Sequence, residues 1–430
     1  MHFSKSIFSN QHFKLAVLGG GSGGLSIGSY FSKLLPKGNV VIIEPNTSHY
    51  YQPGFTLVGS GIKKLELFRR DEKSLIPSNA KWIQDKAEDV IPSKNKIETS
   101  NNGTITYDFL VIATGCQTRF DKIEGAQEGL DSDKSIVSIY LPKYAEKTFE
   151  KMKKFDGGNA LFTYPITPIK CAGAPQKICY LFEDYQRKHG KQFGTVVMYN
   201  TILGKVFGVE KYANRLMKHI KERGIILHTR RNLTKVDPLT NVATFELLDD
   251  NGKPTGKFVE EDFEYLHIGA PCSPADVMLK SAKSNENLVD SNGWVDVDKF
   301  TLQSKKYSNV FGLGDAINSP NAKTAAAISS QCKILKSNIE SMMNGKDLKE
   351  KYSGYGSCPL LISYDKGILA EFDYNGPVET LPIDQSKPSY LNYALKVHMM
   401  PPLYWNGLVK GIWDGPCQIR KLLHLGMCRE

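Results

Sequence analysis

Residues 14–44, KLAVLGGGSGGLSIGSYFSKLLPKGNVVIIE, decide the fold of this chain. KLAVLGG (14–20) is an apolar run that predicts a strand, and it opens directly into a turn rich in glycine. The spaced apolar residues that follow predict a helix, and NVVIIE (39–44) predicts the next strand. This β-turn-α-β order is typical of an α/β fold that binds a dinucleotide.

The glycines of the turn form the pattern GxGxxG, and each has a physical role in binding a dinucleotide. Gly19 permits the tight turn, Gly21 lets the backbone approach the pyrophosphate, and Gly24 brings the helix close to the strand. The N terminus of the helix then faces the phosphates. Glu44 lies twenty residues beyond Gly24, where it would accept hydrogen bonds from the adenosine ribose.

Two further predicted strands indicate which dinucleotide binds. YDFLVIATG (107–115) ends in an A-T-G turn, and NVFGLGDAINSP (309–320) ends in a Gly-Asp pair. Together with GxGxxG they resemble the three fingerprints of flavoproteins with two dinucleotide-binding domains, in which the aspartate, here Asp315, holds the ribityl chain of FAD. The alternative for Asp315 is a helix N-cap or an Asx-turn. The helix predicted to begin near Lys323 would aim its positive end at the flavin.

The second GxGxxG pattern of the pyridine-nucleotide-dependent members of this class is missing. GNALFTYP (158–165) predicts a strand in the right place, and a helix with Pro175 in its first turn and Gly190 at its C-cap follows. Lys170 and Cys171 occupy the turn instead of phosphate-binding glycines. The sequence therefore predicts that NAD(P)H does not bind in the usual way and that electrons enter from another donor.

Cys171 has the surroundings of a reactive thiol, because Lys170 and a helix N terminus would both lower its pKa. The alternative is a small buried residue that fills a tight turn. Cys358 precedes Pro359, which disfavours a helix at this thiol. The eight cysteines contain no CxxC pair and no metal-ligand spacing, so neither a disulfide scaffold nor a metal site is predicted.

Composition and charge restrict the possible functions. The 430 residues suffice for two or three domains and a large cofactor. The excess of 55 Lys and Arg over 45 Asp and Glu suits nucleic acid, an anionic membrane surface or a basic compartment such as the mitochondrial matrix. Nucleic acid is disfavoured because no basic block has interleaved aromatic residues. The sequence has no apolar run of about 18 residues. Its start, MHFSKSIFSNQHF, resembles the tail of a transit peptide or a disordered tail.

Six stretches occur in a characteristic order: LGGGSGG (18–24), YYQPGFTLVGSG (50–61), TPIKCAGAPQK (167–177), KTAAAIS (323–329), SCPLLISYDKGILAEFDY (357–374) and LYWNGLVKGIWDGP (403–416). From about Lys14 to the C terminus, they closely resemble the eukaryotic mitochondrial sulfide:quinone oxidoreductases. The resemblance implies an FAD-dependent enzyme at the mitochondrial inner membrane that oxidises hydrogen sulfide and reduces ubiquinone. A possible homo-oligomer is also implied.

The resemblance also implies a redox role for Cys171 and Cys358, which are 187 residues apart. Hydrosulfide would attack a cystine or trisulfide that joins them, which leaves a persulfide on Cys358 and a thiolate on Cys171. Cys171 would then attack the flavin, and the sulfane sulfur would leave to glutathione or sulfite. FAD would pass two electrons to ubiquinone.

The FAD contacts implied by the resemblance extend the glycine pattern. Gln52 would lie on the loop that crosses the flavin, and Ala87 would meet adenine through its backbone. Lys323 would either serve near the quinone or be a solvated lysine at a helix start. The complete set is Gly19, Gly21, Ser22, Gly23, Gly24, Glu44, Gln52, Ala87, Gly115, Asp315, Lys323, Thr324, Ala325 and Ala326.

The predicted architecture has two Rossmann-like domains, as in glutathione reductase, and a membrane-associating C-terminal region. Residues 1–120 with 300–345 form the FAD domain, 121–299 the second domain and 346–430 the C-terminal region. Within residues 388–413, two short amphipathic helices broken at Pro401 and Pro402 would place Lys396 and Lys410 at a membrane interface. The alternative is a helical hairpin packed on the core.

The remaining cysteines and two other functions complete the predictions. Cys179 is predicted to belong to the core, and Cys116 matches poorly the third redox cysteine of bacterial relatives. The alternatives in function are a type II NADH:quinone reductase and a flavin-stabilised interaction protein. Cys272, Cys332, Cys417 and Cys428 are predicted to be structural.

Overall fold

The computed structural model describes residues 11–166, 168–284 and 287–427. The strands form two larger sheets and four small ones. They are β1 Gln11–Leu18, β2 Val40–Ile43, β3 Ser48–Tyr50, β4 Arg69–Asp71, β5 Lys81–Ile83, β6 Ala87–Ile91, β7 Lys96–Thr99, β8 Gly103–Ile112, β9 Cys116–Thr118, β10 Ile136–Val137, β11 Gly158–Tyr164, β12 Thr195–Thr201, β13 Ile226–Thr229, β14 Arg231–Asp237, β15 Val242–Leu248, β16 Pro254–Asp262, β17 Tyr265–His267, β18 Cys272–Pro274, β19 Val310–Gly312, β20 Gly356–Leu361, β21 Gly367–Asp373 and β22 Gly376–Pro377.

The helices flank the two larger sheets and form most of the C-terminal segment. Short 3₁₀ turns include Gln52–Gly54 and Gly314–Ala316, and π-helical turns span Leu395–Met399 and Tyr404–Leu408. The α-helices are α1 Ser22–Leu34, α2 Phe55–Gly59, α3 Glu72–Leu75, α4 Ala126–Asp131, α5 Pro142–Lys154, α6 Ala174–Lys188, α7 Glu210–Arg223, α8 Asp276–Ser284, α9 Ala325–Met343, α10 Tyr390–Ala394, α11 Met400–Leu403 and α12 Cys417–Leu423.

The first sheet has seven strands in the order β5-β2-β1-β8-β7-β6, with β19 paired to β8. Strands β5, β2, β1, β8 and β19 run parallel. The parts of β1, β2, β8 and β19 nearest their C-terminal ends, residues 15–18, 40–43, 110–112 and 310–312, are apolar and buried, as a covered parallel sheet requires. Leu18 is opposite both Ile43 and Ile112, and Gly312 is also opposite Ile112. The segments that follow β1, β2, β8 and β19 therefore begin at the same edge of the sheet.

The second sheet is parallel, with the strand order β10-β17-β11-β12-β13. The predicted strand-turn-helix around Cys171 is confirmed, since β11 ends at Tyr164 and α6 begins at Ala174 with Pro175 in its first turn. Gly190 follows this helix with a φ of +73°, which glycine adopts without strain. The segment that carries Cys171 therefore joins β11 to α6.

The smaller sheets position the C-terminal half of the chain. Cys358 lies on β20, opposite Ala370 of β21, and β20 packs against both α6 and α9. Strand β9 directly follows the A-T-G turn and pairs with β18, so that Cys116 is opposite Pro274. The other small sheets are β14-β15-β16 and β3-β4.

The predicted break in the C-terminal helical segment needs correction, whereas the predicted start of α9 does not. The chain is helical from Tyr390 to Leu408, so Pro401 and Pro402 do not break it. These prolines lie in α11 directly after a π-helical turn, and π turns are a common site for such local irregularity. The helix predicted to begin near Lys323 is confirmed as α9, which begins at Ala325 with the Thr324 hydroxyl as its N-cap.

The proposed N-terminal tail is partly structured. Gln11–Leu18 forms β1, and the ring of His12 contacts Asp108 at 3.1 Å. Residues 1–10, which hold the rest of the transit-peptide prediction, lie outside the described residues. Within the described ranges, no helix combines the length and the apolar character that crossing a bilayer requires.

Candidate active site

The fold brings the two predicted redox cysteines together. Their Sγ atoms are 3.9 Å apart, although the residues are 187 positions apart in sequence. Cys171 has a φ of +55°, a left-handed conformation that is strained for a residue with a Cβ. Its N–H donates to the Lys323 carbonyl at 2.7 Å, and its carbonyl accepts from the Ala174 N–H at 2.8 Å. These two bonds hold the strained turn and tie it to the segment before α9.

Lys177 supplies the cation beside the sulfur pair. Its Nζ lies 3.2 Å from Cys171 Sγ and 3.8 Å from Cys358 Sγ, and the residue is only 2% exposed. A hydrogen bond from the Cys358 thiol and the charge of Lys177 hold the pKa of Cys171 well below its usual range, although burial opposes this. The pKa of Cys358 is raised, first by the same hydrogen bond and then by burial. These opposite shifts favour a thiolate at Cys171 and a thiol at Cys358.

The prediction that Lys170 activates Cys171 needs correction. The Lys170 ammonium donates to Gln52 Oε1 at 2.8 Å, and the lysine that contacts the sulfur comes from one turn inside α6. Lys177 lies six residues after Cys171, where an α-helix that begins at Ala174 returns a side chain toward its own start. A lysine at this spacing from the cysteine is the sequence signal for the contact between Lys177 and Cys171.

Lys396 is a second buried lysine near the pair, and its predicted place at a membrane interface is wrong. It is 2% exposed, and its Nζ donates to the Pro53 carbonyl at 2.9 Å. Burial, and to a lesser degree the charge of Lys177, lowers the pKa of Lys396 to about 7. The sequence of an amphipathic helix assigns any lysine to the polar side, and only the packing shows that this one faces inward.

The edge of the first sheet has the shape of a phosphate-binding cradle. A Cβ on Gly24 would lie 1.8 Å from the Gly19 carbonyl oxygen, whereas a Cβ on Gly21 would meet nothing within 4 Å. The absence of a Cβ at Gly24 therefore lets α1 approach the end of β1 at Gly19. Gly21 leaves open space before the N terminus of α1, where Ser22, Gly23 and Gly24 form the first turn. Glu44 accepts from the Gly20 N–H at 2.7 Å and is 9% exposed.

The other side of this edge carries Asp315, a half-buried residue with one buried carboxylate oxygen that lacks a hydrogen-bond partner among the described residues. Asp315 Oδ1 has no hydrogen-bond partner in the described part of the chain, so Asp315 is not the N-cap of the alternative interpretation. Burial raises the pKa of this carboxyl group. A Cβ on Gly115, which has a φ of +66°, would meet nothing within 4 Å. An acceptor without a donor and an open glycine turn fit the hydroxyls and phosphates of FAD.

Except for Ala87, the remaining predicted cofactor residues lie on segments beside this edge. Lys323 is half-buried, and its Nζ donates to the Asp315 and Ile317 carbonyls, so it is not a solvated lysine. Thr324 caps α9, and Ala325 and Ala326 form its first turn. Gln52 lies in a 3₁₀ turn. Ala87 is the first residue of β6, at the margin of the first sheet.

A buried polar chain, missed in the sequence, connects the C-terminal segment to this cradle. The Tyr404 hydroxyl is 2.8 Å from Ser22 Oγ and 2.5 Å from His49 Nε2, and His49 Nδ1 is 3.2 Å from Glu72 Oε2. Tyr404 therefore fixes the π-helical turn Tyr404–Leu408 against the glycine turn. No local motif indicates these partners, since they are up to 382 residues apart.

Of the other cysteines, Cys116 lies beside Asp315 and Cys272, whereas Cys179 and Cys332 belong to the core. Cys116 lies 3.8 Å from Asp315 Oδ2, and its pKa is raised, first by a hydrogen bond with Cys272 and then by burial. Cys179 and Cys332 are fully buried in the core. Cys417 is half-buried, and Cys428 lies outside the described residues. In the described ranges no group of three or more His, Cys, Asp or Glu side chains is arranged to hold a metal ion.

Gly173 allows the close approach of the two cysteines, and its replacement by alanine tests that geometry. A Cβ at this position would lie 2.4 Å from Cys358 Sγ and 2.8 Å from Leu360 Cδ2, while its φ of −85° suits any residue. We expect Gly173→Ala to displace Cys358 and to slow sulfide-dependent flavin reduction between about tenfold and a hundredfold, with unchanged flavin content. Gly208→Ala, where a Cβ meets nothing within 4 Å, is the matched control in anaerobic stopped-flow measurements. An unaltered rate in Gly173→Ala would contradict the role of the pair.

The fold and the site together define a class of protein. Two parallel nucleotide-binding-type sheets, a glycine cradle suited to FAD and a facing sulfur pair are the features of a flavoprotein disulfide oxidoreductase. In agreement, the family model described as pyridine nucleotide-disulphide oxidoreductase matches residues 13–153.

Curated relatives identify the family. The mitochondrial sulfide:quinone oxidoreductase of Mus musculus is 46% identical over 428 residues, which cover 99% of this chain and 93% of the mouse protein. The mitochondrial sulfide:quinone oxidoreductase of Dictyostelium discoideum is 42% identical over 94% of this chain and 87% of the Dictyostelium protein. The solved sulfide:quinone oxidoreductase of Aquifex aeolicus shares the fold, with a TM-score of 0.78 at 20% identity, over 98% of this chain and 96% of that chain. This chain belongs to the mitochondrial sulfide:quinone oxidoreductase family, and the resemblance predicted from six stretches is confirmed.

Proposed function

We propose that Cys171 and Cys358 carry the sulfur and the electrons of hydrogen sulfide in this enzyme. The chain is a mitochondrial, FAD-dependent sulfide:quinone oxidoreductase, as its family membership shows. The observation that carries the proposal is the 3.9 Å separation of the two Sγ atoms, with the Lys177 ammonium in contact with both. FAD, when bound, accepts two electrons from the sulfur pair and delivers them to the quinone.

The residue chemistry begins from a sulfur bridge between the cysteines. Hydrosulfide attacks the sulfur of Cys358, the bond to Cys171 breaks, and Cys171 leaves as the thiolate while Cys358 becomes a persulfide. Lys177 stabilises this leaving thiolate, because its charge is desolvated at 3.2 Å from Cys171 Sγ. A nucleophile then takes the outer sulfur from Cys358, and the bridge re-forms when the two sulfurs lose two electrons.

The distance between the sulfurs supports a bridge of this kind. A single S–S bond is about 2.05 Å long, and because the angle at a central sulfur is about 105°, two in succession separate the end sulfurs by about 3.3 Å. The observed 3.9 Å is longer than either distance, so the sulfurs must approach for a bridge to form. Both the disulfide and the trisulfide resting states of the original prediction are therefore compatible with a small movement of the turn.

Lys396 supplies a site for a proton. Its pKa of about 7 lets Nζ exchange a proton near neutral pH. Lys396 also interacts electrostatically with Cys171 and Cys358, so its charged form would attract a sulfide anion that approaches the pair. We propose that Lys396 Nζ accepts the proton of hydrogen sulfide and that the Lys177 and Lys396 charges attract the hydrosulfide that remains.

The proposal also includes the domain, cofactor, acceptor and oligomer predictions made from the sequence. They comprise the three-part domain division, the FAD contacts and glutathione or sulfite as the sulfur acceptor, together with a possible homo-oligomer. Association with the inner membrane is supported by the apolar side chains that the C-terminal segment exposes, among them Leu391, Met399, Leu403, Ile412 and Leu422.

Anaerobic titration of the holoenzyme tests the function. Sulfide is expected to bleach the flavin absorbance, and a short-chain quinone is expected to restore it. NADH is expected to leave the flavin oxidised, because the turn that would bind its phosphates carries Cys171. Bleaching by NADH but not by sulfide would instead support the type II NADH:quinone reductase alternative, and bleaching by neither would support a flavin with a structural role.

A further inference from the structure

A cavity of about 560 Å³ lies between the segment before α3 and the C-terminal helical segment. Its basic side chains are Lys63, Arg70, His398 and Lys410, and its apolar wall includes Leu67 and Trp405. We call it the basic cavity. None of Cys171, Cys358, Lys177 and Lys396 lines it, so it is separate from the sulfur pair.

The cations of the basic cavity are not neutralised by the protein. No acidic residue lines the cavity, and no ion pair within 4.0 Å engages Lys63, Arg70 or Lys410 among the residues that the structure describes. Arg70 donates to the carbonyls of Leu67 and Arg69, and its guanidinium lies 4.8 Å from the centre of the Trp405 ring. Like charges gathered in one concavity repel each other, and an anion between them relieves that repulsion.

The surroundings of the basic cavity are apolar and exposed. Leu67 in its wall is 53% exposed. Met399 and Leu403, which are 60% and 38% exposed, belong to the same helical stretch as His398. A free inorganic anion gains nothing from such side chains, whereas an anion that carries hydrocarbon covers them.

We propose that the basic cavity binds the phosphodiester headgroup of an anionic phospholipid, whose acyl chains lie across Leu67, Met399 and Leu403. The volume is within the range of about 300–1,000 Å³ for sites of small ligands. Arg70 presents a planar donor group suited to phosphate, and Lys63 and Lys410 add charge. This inference rests on the proposed association with a membrane and assigns it a specific lipid chemistry.

The test compares binding of the holoenzyme to two kinds of vesicle, phosphatidylcholine alone and phosphatidylcholine mixed with phosphatidylglycerol. The test variant is Lys63→Gln with Arg70→Gln, and the control is Lys64→Gln with Lys73→Gln, which removes the same charge from exposed neighbours outside the cavity lining. We expect the test variant to lose about tenfold or more of the preference for anionic vesicles, and the control to lose less than about threefold. Equal losses in both variants, or no preference in the parent protein, would overturn the proposal.

Two further measurements separate the possible outcomes. Inorganic phosphate that binds as tightly as dihexanoylphosphatidylglycerol would show a phosphate site and overturn the lipid assignment. All variants are expected to keep the flavin and the parent rate of sulfide-dependent flavin reduction, which shows that they are folded. Failure of sulfide to reduce the parent protein would refute the proposed function while the vesicle measurement still decides the lipid site.

Discussion

Replacing Cys171 by serine is expected to slow sulfide-dependent reduction of the bound flavin by at least about a thousandfold. Serine keeps the size of the side chain but cannot form a sulfur bridge to Cys358, so hydrosulfide has no S–S bond to break. The Cys171 backbone bonds to Lys323 and Ala174 are unaffected by the change, and the flavin content is expected to match that of the parent. Anaerobic stopped-flow spectroscopy of the flavin measures the effect.

Cys358→Ser is expected to cause a loss of the same size, because both sulfurs form one bond, and the double variant is expected to be no slower than either single one. Cys417→Ser is the matched control, since Cys417 is half-buried on α12 and makes no contact with the sulfur pair. A Cys171→Ser enzyme that reduces its flavin with sulfide at the parent rate would refute the mechanism.

Replacing Lys177 by methionine is expected to slow flavin reduction about tenfold or more at pH 7 and to make the reaction dependent on high pH. The hydrogen bond from Cys358 and then the charge of Lys177 hold the pKa of Cys171 well below its usual range, which favours the thiolate in the parent protein. Without this charge the pKa rises, and an ordinary thiol with a pKa of about 8.5 is only about 3% ionised at pH 7. Methionine fills the buried volume without a charge.

The sign of the pH effect follows from the direction of the shift. A lowered thiol pKa preserves the thiolate as the pH falls, so the parent activity declines only in acid, whereas the Lys177→Met activity recovers as the pH rises toward 9 or above. The rate of Cys171 alkylation by iodoacetamide in the reduced protein, followed by mass spectrometry, reports the same pKa directly. Lys188→Met, at the other end of α6 and paired with Asp184, is the control. A parent-like pH profile in Lys177→Met would show that another group ionises Cys171.

Much of the fold was predictable because its signals are local. The apolar runs of β1 and β2 and the glycines between them define a strand, a turn and a helix within about thirty residues, and steric preferences act at that range. The same holds for Pro175 at the start of α6. The start of α9 near Lys323 was predictable in the same way, because the Thr324 cap is a local signal.

The local rules failed where burial decides. Lys396 and Lys410 look alike in the sequence of the C-terminal segment, yet one is 2% exposed and the other lines an open cavity. The chain continues as a helix through Pro401 and Pro402 because neighbouring π-helical turns change the hydrogen-bonding pattern. Neither result follows from hydrophobic periodicity, which takes no account of what packs against a helix.

The sequence by itself determined that a cysteine replaces the second phosphate-binding turn, because missing glycines and an inserted thiol are properties of one short segment. Only the tertiary structure decided which groups act on that cysteine. It placed Cys358 3.9 Å away and made Lys177, rather than Lys170, the cation at the sulfur. The physical reason is that a thiol pKa depends on charges and burial within a few ångströms, and residues far apart in the chain become neighbours at that distance only when the fold closes.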